Sequence, residues 1–119
     1  MVLVDTSVWV DHLRRASTRL AGLLNESEVL CHPFVIGELA CGNLRNRDEV
    51  LELLGALPPI GRMENDEVMA FIAARRFHGK GIGFVDMHLL ASCAVTGCPI
   101  WTADANLARC AARLGLRFD

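Results

Sequence analysis

The sequence predicts a three-layer α/β fold with a mostly parallel central sheet of about four to five strands. Two observations carry this reading. Short apolar runs recur between amphipathic stretches, and their order is strand, helices, strand, helices, strand, helix, strand. Residues 1–4 (MVLV) are apolar throughout, as a strand covered on both faces requires. A helix follows over Thr6–Arg15. A second piece, Thr18–Asn25, carries Leu20, Leu23 and Leu24 at helical spacing. Residues 28–32 (EVLCH) return to a strand. Pro33 suits the first turn of a helix that runs to about Gly42, where glycine acts as a stop. Residues 46–57 place Val50, Leu53, Leu54 and Leu57 along one helical face, and Pro58-Pro59 breaks it. Ile60–Arg62 fits either a very short strand or a turn.

Glu64–Phe77 is acidic at its front and basic at its back, the order that complements a helix dipole. Residues 79–83 (GKGIG) form a flexible loop. Phe84–Val95 is a helix bounded by Gly97, and Pro99–Thr102 a strand. Asp104–Leu114 is a helix stopped by Gly115, and Leu116–Phe118 a last short strand. No repeat or linker divides residues 1–119, so the chain reads as one domain.

Composition sets outer bounds. Hydrophobic residues make up 52% and charged residues 22%, which argues for a globular domain and against disorder. A formal net charge of −2 does not advertise a nucleic-acid binder, although a basic face can hide within it. The five cysteines include no CxxC pair and sit among apolar neighbours. They read as small buried hydrophobes in a reduced, cytoplasmic setting, and not as disulfide partners or zinc ligands. MVLVDTSVW lacks the basic start of a signal peptide. The longest apolar stretch, Phe84 to Ala103, holds Asp86, His88 and Pro99, which argues against a membrane span.

Against this background, four acids stand in unusual company. Asp5 ends the first strand, after Val2-Leu3-Val4. Glu38 lies in a helix among Phe34, Val35, Ile36, Leu39 and Ala40. Asp86 is the only acid between Lys80 and Asp104, and Asp104 ends the strand Ile100-Trp101-Thr102. The other acids mostly keep polar neighbours, as in Glu64-Asn65-Asp66-Glu67. A carboxylate buried without a partner costs several kcal/mol or shifts its pKa upward. Each has an alternative account. Asp104 makes a good helix N-cap, Asp5 before Thr6-Ser7 could be another, and Asp86 suits a first turn. Glu38, in mid-helix, has no such account. Convergence at the strand ends explains all of them together, since a hard divalent cation relieves their repulsion. Mg²⁺ among carboxylates with open water positions serves phosphoryl chemistry.

The stretches VDTSVWVDHLR (4–14), GELACG (37–42), GIGFVDMHLLASC (81–93) and WTADANLARCAARLGL (101–116) resemble the PIN domains of VapC-type toxins. Order and spacing match across almost the whole chain. The resemblance implies a PIN-like α/β/α fold with Asp5, Glu38, Asp86 and Asp104 as an acidic quartet. Asp5, Asp86 and Asp104 would hold Mg²⁺ or Mn²⁺, with Glu38 closing the site directly or through water. It implies a metal-dependent endoribonuclease leaving a 5′-phosphate and a 3′-hydroxyl, often at one site of a structured RNA. Thr6, Ser7 and Thr102 would support the site with hydroxyl groups. Asn106 stands where some relatives carry a further acid, and an amide is a weaker ligand. Such toxins usually pair with a small VapB-type antitoxin and form homodimers.

Other features are less specific. Arg75, Arg76, His78 and Lys80 form a basic cluster that could grip an RNA backbone or merely complement a helix end. Arg14, Arg15 and Arg19 form another candidate basic patch, for which a solvated face is the stronger reading. GKGIG is not a Walker A sequence, since no GxxxxGK[ST] occurs. His12, His32 and His88 read as isolated, and Trp9 and Trp101 as core. Three competing functions are weaker. A phosphatase with Asp5 as nucleophile would want an acid where Ser7 stands. A non-catalytic PIN-like RNA- or protein-binding module would be expected to lose acids that this chain keeps. A dinucleotide binder would need GxGxxG after the first strand, where Asp-Thr-Ser-Val stands.

Overall fold

Val2, Leu3 and Val4 are almost wholly withdrawn from solvent, and the architecture is built on them. The computed structural model describes residues 1–119. Its elements are β1 (Val2–Val4), α1 (Thr6–Arg14), α2 (Thr18–Asn25), β2 (Val29–Leu30), α3 (Pro33–Ala40), α4 (Arg47–Gly55), α5 (Asn65–Arg75), α6 (Phe84–Thr96), β3 (Ile100–Trp101) and α7 (Ala105–Arg113). Strand order is β2-β1-β3 and both pairings are parallel. Val2 lies against Val29 and Leu3 against Leu30, while Leu3 and Val4 face Ile100 and Trp101 on the other side.

This order places the helices. Crossovers between parallel strands are right-handed. The chain steps from β1 to β2, then back over β1 to β3, so the two crossovers run in opposite directions. Helices therefore cover both faces of the sheet. The connections diverge between β1 and β3, and open parallel sheets form their sites at the carboxyl side of such a point.

Local signals set the helix ends. Ser17 Oγ accepts from the Leu20 amide at 3.2 Å, and His32 Nδ1 from the Phe34 amide at 3.0 Å, with Pro33 in the first turn of α3. Gly97 closes α6 in the left-handed region, at φ 76°. α6 is buried without interruption over Met87–Cys93, as befits a helix covered on all sides. It packs on α5, while α3 packs on α1 and α4.

Several expectations need correction. Three strands form, not four or five. Near the expected fourth strand, Cys31 makes a single parallel bridge with Pro59, because prolines at 58 and 59 donate no amide with which to extend a ladder. At the expected fifth, only Arg117 bridges, to Ile100. The helices mostly end within a residue or two of their expected limits. Cys41 is exposed beyond α3, while the other four cysteines are buried, and all five are free thiols. Trp9 joins the core, but Trp101 is only half-buried at the sheet edge. His32 and His88 are not isolated: both pack edge-on against Phe34, at 5.0 and 4.8 Å between ring centroids. No helix is long and apolar enough to cross a membrane.

Leu3 sits in the central strand, fully buried between both neighbours. Leu3→Ala is expected to lower the unfolding free energy by about 2–5 kcal/mol in urea titration. A loss below about 1 kcal/mol would show that the core does not close on this strand.

Candidate active site

Beyond the carboxyl ends of β1 and β3, Asp5 is only 5% exposed. It holds the N-cap position of α1, yet its side chain caps nothing. Instead, Ser7 Oγ and Thr102 Oγ1 both donate to Asp5 Oδ2, at 2.8 and 2.7 Å. These hydroxyls are themselves fixed from the backbone. The Ala103 amide donates to Ser7 Oγ and the Asp104 amide to Thr102 Oγ1, each at 3.0 Å. Amide, hydroxyl and carboxylate thus line up donor to acceptor, an order in which each bond polarises the next. Asp5 Oδ1 is left without a protein partner.

Asp104 follows β3 and starts α7. Its Oδ1 accepts from the Leu107 amide at 2.9 Å, so the capping role is real. Its second oxygen takes no protein hydrogen bond. Glu38 departs from the apolar setting its neighbours suggest. Val35 and Leu39 take the buried side of α3, and Glu38 turns out to solvent. There Thr6 Oγ1 donates to its Oε1 at 2.7 Å, tying α3 to the first residue of α1.

Asp86 stands half-buried in the first turn of α6. Burial, and then the charges of Asp5, Glu38 and Asp104, push its pKa up to about 6, against an opposing backbone hydrogen bond from Gly83. The four acids therefore share one electrostatic neighbourhood. No ion pair reaches any of them, since the chain's salt bridges are Met1–Glu28, Arg47–Asp48 and Arg117–Asp119. Nor do three such side chains close into a ready-made metal cluster. Hard oxygen donors carrying uncompensated charge fit a cation such as Mg²⁺ or Mn²⁺.

Residues 2–113 match the PIN domain family. The chain belongs to the PIN-domain family. It is 47% identical over 117 residues to Ribonuclease VapC32 of Mycobacterium tuberculosis, in strains CDC 1551 / Oshkosh and ATCC 25618 / H37Rv alike, covering 98% of this chain and 94% of the relative. Among solved structures it is similar to PAE2754 from Pyrobaculum aerophilum, with TM-score 0.66, 16% identity, and 96% and 94% of the two chains covered. FitAB bound to an IR36 DNA fragment gives TM-score 0.63 at 21% identity, covering 94% and 91%. FitAcB from Neisseria gonorrhoeae gives 0.62 at 21%, covering 94% of each chain. At these identities the structural likenesses show the fold.

The remaining expected residues occupy the rim of the PIN domain. Asn106 does not face the carboxylates. Its Nδ2 donates to the Gly81 carbonyl at 3.3 Å, and Arg109 donates to its Oδ1. It thereby ties the 79–83 loop to α7. Gly81 must be glycine there, since φ is +79° and a Cβ would lie 2.5 Å from Asn106 Nδ2. Arg75 and Arg76 are exposed at the end of α5, where Arg113 donates to the Arg75 carbonyl at 3.5 Å. Lys80 lines a pocket of about 230 Å³ with Asn106, Arg109 and Arg113. The sequence reading missed Arg109 and Arg113. Their spacing from Asn106, three and then four residues, sets all three on one face of α7 and was available as a signal.

Unfolded, Asp86 titrates near the ordinary carboxylate value of about 3.9. Folded, it titrates near about 6. Between these values the folded protein keeps a proton that the unfolded chain has released. Stability therefore falls as pH rises through the window, and the loss is complete above it. Asp86→Asn removes that penalty. In EDTA the variant is expected to melt a few degrees above the parent near about pH 7, with the difference vanishing near about pH 4. Equal melting temperatures at both pH values would show that Asp86 is not crowded by its neighbours.

Proposed function

We propose that this PIN domain is a Mg²⁺- or Mn²⁺-dependent endoribonuclease that hydrolyses RNA phosphodiester bonds, acting as a VapC-type toxin with a small VapB-type antitoxin as partner. The observation that carries the reading is the crowding of Asp86 by Asp5, Glu38 and Asp104 with no cation of the chain to balance them. The 47% identity to a protein named Ribonuclease VapC32 supports the same reading of reaction and substrate. The antitoxin and a homodimeric state rest on the resemblance to VapC-type toxins alone.

In this mechanism Asp5, Asp86 and Asp104 would hold the cation. When bound, it lowers the pKa of a coordinated water towards neutrality and stabilises charge on the phosphate. The chain's own groups do the rest. Ser7 and Thr102 fix the direction of the Asp5 carboxylate through Oδ2, leaving Oδ1 to face the site. Glu38, anchored by Thr6 through Oε1, keeps Oε2 to orient the attacking water or accept its proton. Asp5, Asp86 and Asp104 lie at the starts of α1, α6 and α7, whose positive dipole ends favour a phosphate nearby. Lys80, Arg109 and Arg113 grip the RNA backbone on one flank, with Arg75 and Arg76 beside Arg113. Water attacks, so the ribose 2′-hydroxyl is not consumed, and the products carry a 5′-phosphate and a 3′-hydroxyl.

The purified chain is to be incubated with total cellular RNA and Mg²⁺ or Mn²⁺, with EDTA and Asp5→Asn as controls. Discrete cuts absent from both controls are the expected result. A folded protein that neither cleaves RNA nor binds metal by calorimetry would instead be a non-catalytic PIN-like module. Ser7→Ala and Thr102→Val should each keep the fold and reduce activity by about 10–100-fold, because they release a ligand from its orientation. Full activity in both would remove the hydroxyls from the site.

A further inference from the structure

A cavity of about 310 Å³ opens at the sheet edge beside β3, lined by Arg19, Trp101, Thr102, Arg117, Phe118 and others. Trp101 and Phe118 lie with ring centroids 5.4 Å apart and planes tilted by 43°. Arg19, exposed on α2, reaches over both rings, its guanidinium carbon 4.4 Å from the Phe118 centroid and 5.3 Å from that of Trp101. Thr102 lines this cavity and also donates its hydrogen bond to Asp5. One residue therefore belongs to both the cavity and the carboxylate site.

Arg19 already covers the ring faces of Trp101 and Phe118, so the surface offered to a base is the outer plane of its guanidinium, backed by the two rings. Proteins read unpaired bases by stacking them on aromatic rings or guanidinium planes, and any base offers the π-face required. Arg19 makes no ion pair and no protein hydrogen bond, so its five N–H donors remain free for a base edge or a phosphate. A guanidinium already committed to a carboxylate could not serve this way. Arg117 is held only by an exposed contact with Asp119 at 3.2 Å. Such pairs contribute little and exchange readily for a phosphate. Asp119 offsets Arg117 on the rim, which leaves Arg19 as the uncompensated cation. The volume lies at the lower end of the range for small-ligand sites, roughly 300–1,000 Å³, and suits one nucleotide.

We propose that Arg19, Trp101 and Phe118 form a subsite for one unpaired nucleotide of the RNA, next to the phosphate that is cut. The proposal rests on the ribonuclease reading of the Asp5 site and deepens it. The substrate is RNA whose base beside the cut is free of pairing, in a loop, bulge or single strand. A base stacked within a duplex cannot reach the platform. Trp101 is thus a specificity residue, and the step from it to Thr102 and Asp104 couples base recognition to the acids along one short segment.

The test uses the full chain carrying Asp86→Asn, in EDTA, so that binding is read without cleavage. A fluorescently labelled, unpaired RNA hexanucleotide is titrated by anisotropy, beside the same sequence closed in a fully paired hairpin, while tryptophan emission is followed. The single strand is expected to bind more tightly and to quench emission. Trp9 is buried, so the quench reports Trp101. Arg19→Ala, which loses the stack over Trp101 and Phe118, should lower the melting temperature by no more than a few degrees and weaken single-strand binding by about tenfold. Trp101→Phe should retain binding and lose most of the quench. Equal affinity for both RNAs, or unchanged affinity in Arg19→Ala, would overturn the subsite. The nuclease reading fails separately. With Asp86 intact and Mg²⁺ present, a chain that cleaves total RNA with the same KM before and after Arg19→Ala is a ribonuclease without this subsite. A chain that cleaves nothing and binds no metal removes the nuclease, whatever the anisotropy shows.

Discussion

The hydrogen bond from Thr102 to Asp5 joins residues 97 positions apart in the chain. It exists because Val4 and Trp101 are partners across β1 and β3, which brings the two following residues side by side. A slip of one residue in that pairing would turn each side chain to the opposite face of the sheet. The buried strand resists the slip, since both its faces are covered and a one-residue shift would draw Asp5 into a place that Val4 fills in the core. Hydrophobic packing of a few residues thus sets the register, and the register sets the direction of a carboxylate oxygen. Ser7 completes the arrangement from α1, so that Asp5 is held from both ends of the neighbouring segments.

The site is also where the fold works against itself. Three acids begin helices, where dipoles welcome negative charge. Those same positions gather the acids at one edge, and at Asp86 burial, followed by the charges of its neighbours, raises the pKa to about 6. Such crowding makes the ligand-free protein less stable than its core alone would allow. A group whose charge is poorly tolerated is also one that gains most from a cation. In the proposed reading, stability without a cation and readiness to bind one would both follow from the burial and crowding of Asp86.

Much of this was legible in the sequence, for definite reasons. The helices announced themselves through periodic leucines and through Pro33, Gly97 and Gly115, all of which act locally. Asp5, Asp86 and Asp104 were visible because they interrupt apolar runs at strand ends or helix starts. Glu38 was found on a mistaken premise. It was read as an acid in an apolar setting, yet it is exposed, because flanking residues in a helix point in different directions. The edge strands were overcounted: Pro58 and Pro59 lack the amides to extend one ladder, and the other pairs through Ile100 alone. The half-buried Trp101 and the meeting of His32 with His88 depend on contacts between distant segments, which no local pattern encodes. Lys80 with Arg109 and Arg113 lies between these cases: the helical face was readable, and its loop partner was not.

Gly81 and Asn106 together have a geometric consequence. Asn106 stands two residues after Asp104, and Gly81 leads through Gly83 into the turn that carries Asp86. The amide of one rests against the backbone of the other, with no room for even a methyl group between them. This contact uses none of the carboxylates' own hydrogen bonds. It acts as a gauge block, setting from outside how far apart the starts of α6 and α7 can stand. The span between two acids on separate helices is thus governed by the absence of a side chain at a third position.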